Sequence, residues 1–519
     1  MEGTLLAVDC GTQSLRAMLF SATGRMLDKA QVAYEPCTSP CPGWAEQDPA
    51  VYWDALCASV RCLKDRSGPA FARIQGMGVA ALRNTPILVD AAGTPLRPAI
   101  LWLDTRRASP VYRPGWAQGA LYAALGLLPA LGNAQADCKT SWVRQHQREL
   151  WERSAKVLQV SGYLHHRLTG LFRDSSASQV GHLPFNYRAL RWCQPNELNA
   201  RLFPVEPGRL PELVQPGDVL GPVSRSAAAA TGLPVGVPVV ACASDKGAES
   251  LGTGCTDSTS ASLSLGTAAA VQTTSRRYFE PLPFMPAYPS ALSGQYAPEV
   301  LVFRGYWMIR WFLREFAGGE REEARRSGVA PEALLDRLLQ AVPAGALGLM
   351  TLPHWGAQLQ DPRARGAMIG LGAAHARDHV YRSLIEGLGF ALRDGLERLE
   401  RTGRLRFERI GIAGGASQSE EICQITADIL GRPLCAGETC EATGLGIAVL
   451  AAAGCGRYGS PGEAVRGMVR TGRVFSPRAS CSERYRRLYL EVHRRLQSRL
   501  APLHARILAI LEAPAGGRP

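Results

Sequence analysis

Two stretches of the sequence share one pattern: an apolar run, a Gly-Thr turn and a second apolar run. The first stretch extends from Leu5 to Phe20 and turns at Gly11-Thr12. The second extends from Ser262 to Val271 and turns at Gly266-Thr267. Each pattern predicts a β-hairpin, and its recurrence in the second half of the chain suggests an internal duplication.

Between and after the hairpins, strand and helix patterns alternate. Short apolar runs predict strands at residues 75–80, 86–90, 239–242 and 409–413. Apolar residues at helical spacing predict helices at residues 50–65, 377–400, 420–430 and 482–511, the last of them amphipathic and packed on the body. Alternating strands and helices are typical of the α/β class.

The chain is long enough for two large domains, since it has 519 residues. The run Gly252-Thr253-Gly254-Cys255-Thr256-Asp257 is small, polar and rich in glycine, as a linker or hinge would be. We therefore expect an N-terminal domain at residues 1–257, a C-terminal domain at 258–480 and a terminal amphipathic helix and tail at 481–519. A hinge at this run would let ligands close the two domains together.

Composition fits a globular protein, with 46% apolar and 20% charged residues. The net charge of +13 raises the question of nucleic acid or membrane lipid. The arginines are spread along the chain, which favours a solvated basic surface over binding to nucleic acid or to membrane lipid. The uncharged stretch from Pro114 to Ala136 contains a proline, glycines and amides, so a buried segment of a domain is expected there rather than a membrane span.

The cysteines and the start of the chain favour a cytoplasmic protein. The chain has 14 cysteines and no Cys-x-x-Cys, so free thiols in a reducing compartment are expected. Residues 8–11 already resemble a structural strand and turn, and no leader pattern precedes them.

Phosphoryl transfer is compatible with the Gly-Thr turns, although the chain contains no P-loop motif. Glycine lets the backbone approach a phosphate closely, and the neighbouring N–H and hydroxyl groups can donate to its oxygens. Asp9, at the end of the first predicted strand, could hold Mg²⁺ through water. An Asp-x-Gly-Thr sequence alone is nevertheless usually only a turn.

Seven segments in a fixed order resemble the FGGY family of carbohydrate kinases, and the resemblance covers roughly residues 4 to 455. The segments are Asp9–Arg16, Gly43–Pro49, Pro95–Arg106, Arg167–Gly170, Ser264–Thr267, Gly414–Ser419 and Glu441–Ala448. The resemblance implies two ribonuclease H-like domains of the actin-like ATPase fold with an interdomain cleft. It also implies that ATP lies mainly on the second domain and sugar mainly on the first.

The family's roles fall on particular residues of this chain. Asp245 aligns with the general base that takes the proton of the attacking hydroxyl, which suits a carboxylate. The resemblance assigns nucleotide binding, with Mg²⁺ at Asp9, to Asp9, Gly11, Thr12, Gln13, Arg16, Gly266, Thr267, Gly414, Gly415 and Ser419.

The substrate side departs from the family pattern at two positions. Arg83 and Asn84 fall where polyol-phosphorylating members carry an Arg-Glu pair, so Asn84 replaces an acidic residue. Lys246 stands where a small or amide residue is commoner. Lys246 could lower the pKa of Asp245, bind an acidic substrate or point to solvent, and these three interpretations stay open.

The sequence thus predicts an enzyme that uses ATP and Mg²⁺ to phosphorylate a hydroxyl of a small sugar (a ketose) or polyol. One alternative is a catalytically silent member of the superfamily that binds sugar or nucleotide. Another is a chaperone or filament-forming ATPase, which the absence of a substrate-binding β domain or long polar lid after residue 455 disfavours. A homodimer is left open.

Overall fold

The computed structural model describes residues 3–512 except residues 36, 284, 303 and 356–363. Residues 1–2 of the expected first domain and 513–519 of the expected tail therefore lie outside the described residues.

The strands are given in chain order. They are β1 (Thr4–Cys10), β2 (Ser14–Ser21), β3 (Met26–Ala33), β4 (Glu46–Gln47), β5 (Ile74–Ala81), β6 (Pro86–Val89), β7 (Ala99–Ile100), β8 (Lys156–Gln159), β9 (Arg173–Ser175), β10 (Phe185–Asn186), β11 (Arg191–Trp192), β12 (Glu212–Val214), β13 (Val219–Pro222), β14 (Pro238–Val240), β15 (Ser260–Leu265), β16 (Ala269–Thr273), β17 (Tyr288–Pro289), β18 (Tyr296–Ala297), β19 (Glu299–Val302), β20 (Met350–Leu352), β21 (Ala367–Ile369), β22 (Arg409–Ala413), β23 (Leu434–Gly437) and β24 (Thr471–Phe475).

The α-helices follow the same order. They are α1 (Pro49–Phe71), α2 (Trp116–Ala124), α3 (Leu128–Ala136), α4 (Lys139–His146), α5 (Arg148–Arg153), α6 (Val160–Thr169), α7 (Leu198–Leu202), α8 (Arg225–Thr231), α9 (Asp245–Gly252), α10 (Trp307–Phe316), α11 (Gly318–Ser327), α12 (Asp336–Ala341), α13 (Arg377–Gly403), α14 (Glu420–Leu430), α15 (Ala442–Gly454), α16 (Pro461–Met468), α17 (Ala479–Arg487) and α18 (Arg494–Glu512). A π-helical turn, Leu488–His493, joins the last two.

The first compact unit comprises Met1–Asp257, Thr274–Pro298 and Glu441–Arg470. Its six-stranded sheet has the order β13-β14-β5-β1-β2-β3. Strand β1 pairs antiparallel with β2 on one side and parallel with β5 on the other. All seven residues of β1 are buried, as expected for a central strand covered on both faces.

The second compact unit comprises Ser258–Thr273, Glu299–Cys440 and Thr471–Pro519. Its six-stranded sheet has the order β19-β16-β15-β22-β23-β24. Strand β15 pairs antiparallel with β16 and parallel with β22, which repeats the arrangement around β1. Both predicted Gly-Thr hairpins are therefore confirmed, and so are the α/β class and the duplicated architecture.

Helices α9 and α15 of the first unit contact each other backbone to backbone. A Cβ added to Gly252 would overlap the carbonyl of Ala442, and one added to Gly446 would overlap that of Ala248. Gly252 is buried at the end of α9, and Thr253 caps that helix. The interpretation of Gly252 as part of a flexible linker is therefore wrong, because this glycine permits close helix packing.

The expectation of a buried segment between Pro114 and Ala136 is also wrong for its first half. Helix α2 contains no buried residue, and Trp116 is 90% exposed. Only α3 contributes buried side chains there, Leu131 among them. Among the residues that the structure describes, no helix is long and apolar enough to cross a membrane.

Candidate functional site

In the first unit, Asp9 is the last residue but one of β1 and lies directly opposite Arg16 of β2. The Arg16 Nη1 atom lies 3.5 Å from Asp9 Oδ2 and 3.6 Å from Glu441 Oε2. Lys29 Nζ lies 2.8 Å from the other oxygen of Glu441. Two carboxylates and two cations thus alternate beside the first hairpin.

The pKa of Asp9 is raised to about 7 because the carboxyl group is buried. Arg16 lowers this pKa, whereas the nearby negative charges of Asp245, Glu441 and Glu249 raise it. A cation in this neighbourhood would favour the ionised carboxylate.

Hydrogen bonds from backbone N–H groups and from a tyrosine hydroxyl hold the Gly11-Thr12-Gln13 turn. The Gly11 N–H donates to the Ser14 carbonyl at 3.0 Å, which closes the turn. Tyr34 fixes it from outside, since its hydroxyl donates to the Gly11 carbonyl at 2.5 Å and its N–H donates to the Gln13 carbonyl at 3.1 Å. The turn is therefore fixed before any ligand arrives.

The hydroxyl of Thr12 accepts a hydrogen bond from the Trp102 indole N–H at 3.2 Å. A hydroxyl that accepts one bond keeps its proton for donation. Thr12 can therefore donate to an anionic oxygen, as the predicted phosphate role requires.

Asp245 is the first residue of α9 and follows β14 by a short connection. The preceding residue, Ser244, caps the helix, since its hydroxyl accepts from the Gly247 N–H at 3.3 Å. The Asp245 side chain is 31% exposed, and its Oδ1 lies 3.8 Å from Arg83 Nε. The backbone of Asp245 is thus fixed by the helix cap, while its carboxylate remains partly accessible to solvent.

Burial raises the pKa of Asp245, while the positive charges of Arg83 and Lys246 lower it. Glu249 raises it further. A raised pKa makes the carboxylate a stronger base than an exposed one, which suits proton transfer.

Lys246 does not point to solvent, because its Nζ lies 2.7 Å from Glu249 Oε2 and its side chain is only 18% exposed. The pair lies on the first turns of α9, three residues apart. This excludes one of the three interpretations of Lys246 and supports the interpretation that its charge lowers the pKa of Asp245.

Arg83 and Asn84 follow β5 but differ in their surroundings. Arg83 lies over the ring of Tyr288, with the guanidinium carbon 5.5 Å from the ring centroid. Asn84 adopts a left-handed backbone with φ of 53°. Its Oδ1 accepts from the His182 N–H at 3.2 Å, so part of this amide is used to hold a neighbouring loop.

In the second unit, the Gly266-Thr267 turn lies against two other segments. The Tyr306 N–H donates to the Gly266 carbonyl at 3.0 Å, and the Trp307 N–H donates to the Thr267 carbonyl at 3.3 Å. Gly414 follows β22 with φ of +95°, and a Cβ there would lie 2.7 Å from the Leu265 carbonyl carbon. The structure thus brings Gly414 directly onto the second hairpin.

Gly415 and Ser419 differ from Gly414 in their roles. A Cβ added to Gly415 would meet no described atom within 4 Å, and the residue is exposed. Ser419 caps α14, since its hydroxyl accepts from the Ile422 N–H at 3.1 Å and donates to Asp336 Oδ1 at 2.6 Å. Gly415 borders open space, whereas Ser419 is engaged in the fold.

Residues that the sequence did not single out complete the first unit's site. Glu249 and Glu441 are 5% and 9% exposed and contribute negative charge beside Asp9 and Asp245. The position of Glu249 beside Asp245 could have been predicted from the sequence, because Glu249 follows Asp245 by four residues and residues four apart lie on the same face of a helix. Glu441 lay within a family segment but had been given no role.

Mg²⁺ fits the donor set at Asp9. Among the described residues, no three metal-binding side chains come together, so a cage made of protein ligands alone is not present in that part of the chain. Mg²⁺ commonly uses one or two carboxylates together with phosphate oxygens and water. A buried carboxylate whose pKa is raised by burial and by neighbouring negative charges matches that pattern.

Two six-stranded sheets, each built on a Gly-Thr hairpin with a parallel neighbour, define the actin-like ATPase fold. The xyloylose kinase of Brucella ovis has the same fold, with a TM-score of 0.79 and 25% identity, covering 96% of this chain and all of that one. The xylulose kinase of Rhodospirillum rubrum gives a TM-score of 0.77 at 28% identity, over 97% of this chain and 100% of that one.

Sequence comparison gives the family. The model of the N-terminal domain of the FGGY family of carbohydrate kinases matches residues 4–252, and that of the C-terminal domain matches residues 261–455. The glycerol kinase of Alkalilimnicola ehrlichii is 30% identical over 92% of this chain and 94% of its own. A protein called an uncharacterized sugar kinase in Escherichia coli is 29% identical over 93% of this chain and 90% of its own.

The chain belongs to the FGGY family of carbohydrate kinases. It is accordingly a phosphotransferase that acts on an alcohol group. The family resemblance drawn from the seven segments is confirmed.

Proposed function

We propose that the protein transfers the γ-phosphate of MgATP to a hydroxyl of a small sugar, a ketose, or of a polyol, with Asp245 as the general base. The observation that carries the proposal is the partly exposed Asp245 carboxylate at the start of α9, 3.8 Å from Arg83. A carboxylate fixed at the backbone and reachable at the side chain can accept the proton that the acceptor hydroxyl loses.

Arg83 would bind the acceptor. Its guanidinium has several N–H donors, and its position over Tyr288 fixes the plane of those donors. Hydrogen bonds to substrate hydroxyls would orient one of them toward Asp245. We therefore assign substrate binding to Arg83, Asn84, Asp245 and Lys246 in the N-terminal domain, residues 1–257.

Asp245 would take the proton as the phosphoryl group arrives. Burial favours its protonated form after transfer, while Arg83 and Lys246 favour the ionised form before transfer. The net effect is a pKa above that of an exposed aspartate, which strengthens Asp245 as a base.

We assign nucleotide binding to two groups of residues, one in each hairpin region. Gly11, Thr12, Gln13 and Arg16 would contact phosphate oxygens, as would Gly266 and Thr267, and Asp9 would act on the phosphates through Mg²⁺. The open surface at Gly415 leaves room for a planar base beside Gly414 and Ser419. Asp9 would hold Mg²⁺ through water, and the ion, when bound, would neutralise charge on the phosphates.

We propose the class of acceptor from the names of the relatives. Proteins named xylulose kinase and glycerol kinase are 25–30% identical to this chain over most of its length. A ketose and a polyol are therefore the first acceptors to examine.

The test is ADP formation with a panel of ketopentoses, ketohexoses, heptuloses, polyols and aldonates. We expect at least one acceptor to raise ADP release well above the rate without acceptor. Sugar binding by calorimetry without any acceptor-dependent ADP would instead support a silent sugar-binding member. ADP release that no acceptor changes would support a plain ATPase.

A further inference from the structure

Helix α18 lies at the end of the described chain. Its most extensive packing is against the π-helical turn Leu488–His493 that directly precedes it, and Leu496, Leu500 and Leu508 are half-buried, whereas the side chains described next are exposed. Most of the stability of a helix in a protein comes from packing of its apolar face. A helix in this position is stabilised when a partner covers its apolar face.

One face of α18 is apolar and exposed. Leu503, Ile507, Ile510 and Leu511 are 60%, 53%, 61% and 74% exposed. At 100° per residue these four side chains fall within about one third of the helix circumference. They form a continuous apolar strip in solvent, which is unusual for a protein surface.

Arginines border this strip and have no acidic partner. Arg495, Arg499 and Arg506 project along one edge of the strip, and all three are exposed. Among the described residues none of them forms an ion pair, and no acidic residue occurs between Glu491 and Glu512.

The neighbouring helix α17 shows the contrast. Arg486 pairs with Glu483 at 2.8 Å, and Arg487 pairs with Glu491 at 3.1 Å. Two arginines of this region are therefore neutralised locally, whereas Arg495, Arg499 and Arg506 of α18 have no such pair among the described residues. The partner of α18 should supply negative charge and an apolar surface together.

We propose that α18 lies in the surface of an anionic lipid bilayer, with its apolar strip among the acyl chains and its arginines on lipid phosphates. Guanidinium groups bind phosphates in a bidentate manner. A basic amphipathic helix binds anionic membrane surfaces through burial of its apolar face and through the attraction of its cations to the lipid phosphates. From the sequence we expected no membrane partner, because the arginines are spread along the chain and the stretch from Pro114 to Ala136 was not expected to span a bilayer. On α18, however, three arginines lie beside one apolar strip, and a helix lying on a membrane surface does not span it.

Two other occupants fit less well. A symmetrical dimer uses the same patch on both copies, so the arginines of the two copies would meet with Glu512 as the one acidic residue in the sequence of each α18. A nucleic acid would take the arginines but would leave the apolar strip in water. An anionic lipid surface satisfies both features.

The test is co-sedimentation of the full chain with vesicles of phosphatidylcholine alone or of phosphatidylcholine mixed with phosphatidylglycerol. We expect binding to the mixed vesicles, with weakening at high salt. The triple variant Arg495→Gln, Arg499→Gln, Arg506→Gln should bind about 100-fold more weakly, at about fivefold per arginine. The double variant Leu503→Ser, Ile507→Ser should also lose binding.

The matched control removes three other exposed but paired arginines, Arg325→Gln, Arg486→Gln and Arg487→Gln. It lowers the net charge equally and should bind mixed vesicles about as well as wild type. Thermal unfolding of every variant checks that the fold is kept.

The proposal is overturned if the control triple variant loses binding as much as the α18 triple variant, because bulk charge would then explain it. It is also overturned if the wild-type protein does not bind the mixed vesicles. Light scattering that shows a dimer lost in Leu503→Ser, Ile507→Ser would then assign the strip to a second copy. Preferential binding to an RNA oligonucleotide would assign the arginines to nucleic acid.

Discussion

Asp245 and its neighbours show how a single helix start can combine positioning with electrostatics. Ser244 fixes the backbone, Arg83 approaches one carboxylate oxygen, and Lys246 is tied to Glu249. Each contact changes either where the carboxylate lies or how readily it ionises. The proposed role of each side chain can therefore be tested separately.

Replacing Asp245 with asparagine should remove the base and keep the shape. We expect kcat to fall by roughly 10²–10⁴-fold, because that is the usual contribution of a general base. ATP binding, measured by calorimetry, should be unchanged. A variant that keeps more than about a tenth of wild-type turnover would contradict the assignment.

Arg83→Ala should act on the acceptor. We expect the KM for the sugar to rise strongly and the KM for ATP to change little, since Arg83 lies beside Asp245 and Tyr288 in the first unit. Steady-state kinetics with each substrate varied in turn measures both constants. Equal increases in both would show that Arg83 is not specific to the acceptor.

Lys246→Met should change the pH profile. The Lys246 charge lowers the pKa of Asp245, so its removal should raise that pKa further. Asp245 must be ionised to accept a proton, so the acid limb of the kcat/KM profile should move to higher pH. Lys246→Arg keeps the charge and should leave the limb in place, and an unmoved limb in both variants would refute the electrostatic role.

At the scale of elements, adjacent glycines after β22 have opposite surroundings. A Cβ at Gly414 would meet the Leu265 carbonyl and the Gly266 nitrogen, and its φ is +95°. A Cβ at Gly415 would meet no described atom within 4 Å. Gly414 is thus required by the fold, whereas the fold leaves space at Gly415 for the ligand role that we propose.

Gly414→Ala should therefore destabilise the protein by about 1–3 kcal/mol, through strain and overpacking. Gly415→Ala should change stability by less than about 0.5 kcal/mol and raise the KM for ATP, because a methyl group would intrude where the base is proposed to lie. Chemical denaturation and ATP kinetics measure the two effects. An unchanged ATP KM in Gly415→Ala would remove this residue from the nucleotide site.

The sequence predicted elements well where the pattern of a strand or helix is local. The two Gly-Thr hairpins and the helix at residues 420–430 are confirmed, because apolar runs and turn glycines specify them directly. The interpretation from the sequence failed at Gly252, where the glycine permits contact with α15, an element almost 200 residues away in the chain. Composition alone does not distinguish a flexible glycine from a packed one.

The site was predictable only in part for the same reason. Asp9 and Asp245 could be proposed from the sequence because motifs mark them. Glu249 and Glu441 act through charge and proximity, and proximity depends on how α9 and α15 pack. The pairing of Lys246 with Glu249 likewise needed the structure to choose among three interpretations.

At the scale of the molecule, the chain crosses between its two compact units at five points, after residues 257, 273, 298, 440 and 470. A motion between the units would involve all of these crossings and not only the predicted hinge at Gly252–Asp257. The family comparison nevertheless spans both units, since matches cover residues 4–252 and 261–455.

The central claim, transfer of the γ-phosphate to a sugar or polyol hydroxyl, is tested most directly by ³¹P NMR of wild type with MgATP and the best acceptor of the panel. We predict that the γ-phosphate signal is replaced by that of a phosphate monoester on the acceptor, in step with ADP. Formation of inorganic phosphate without a monoester, or no loss of ATP with any acceptor, would contradict the account.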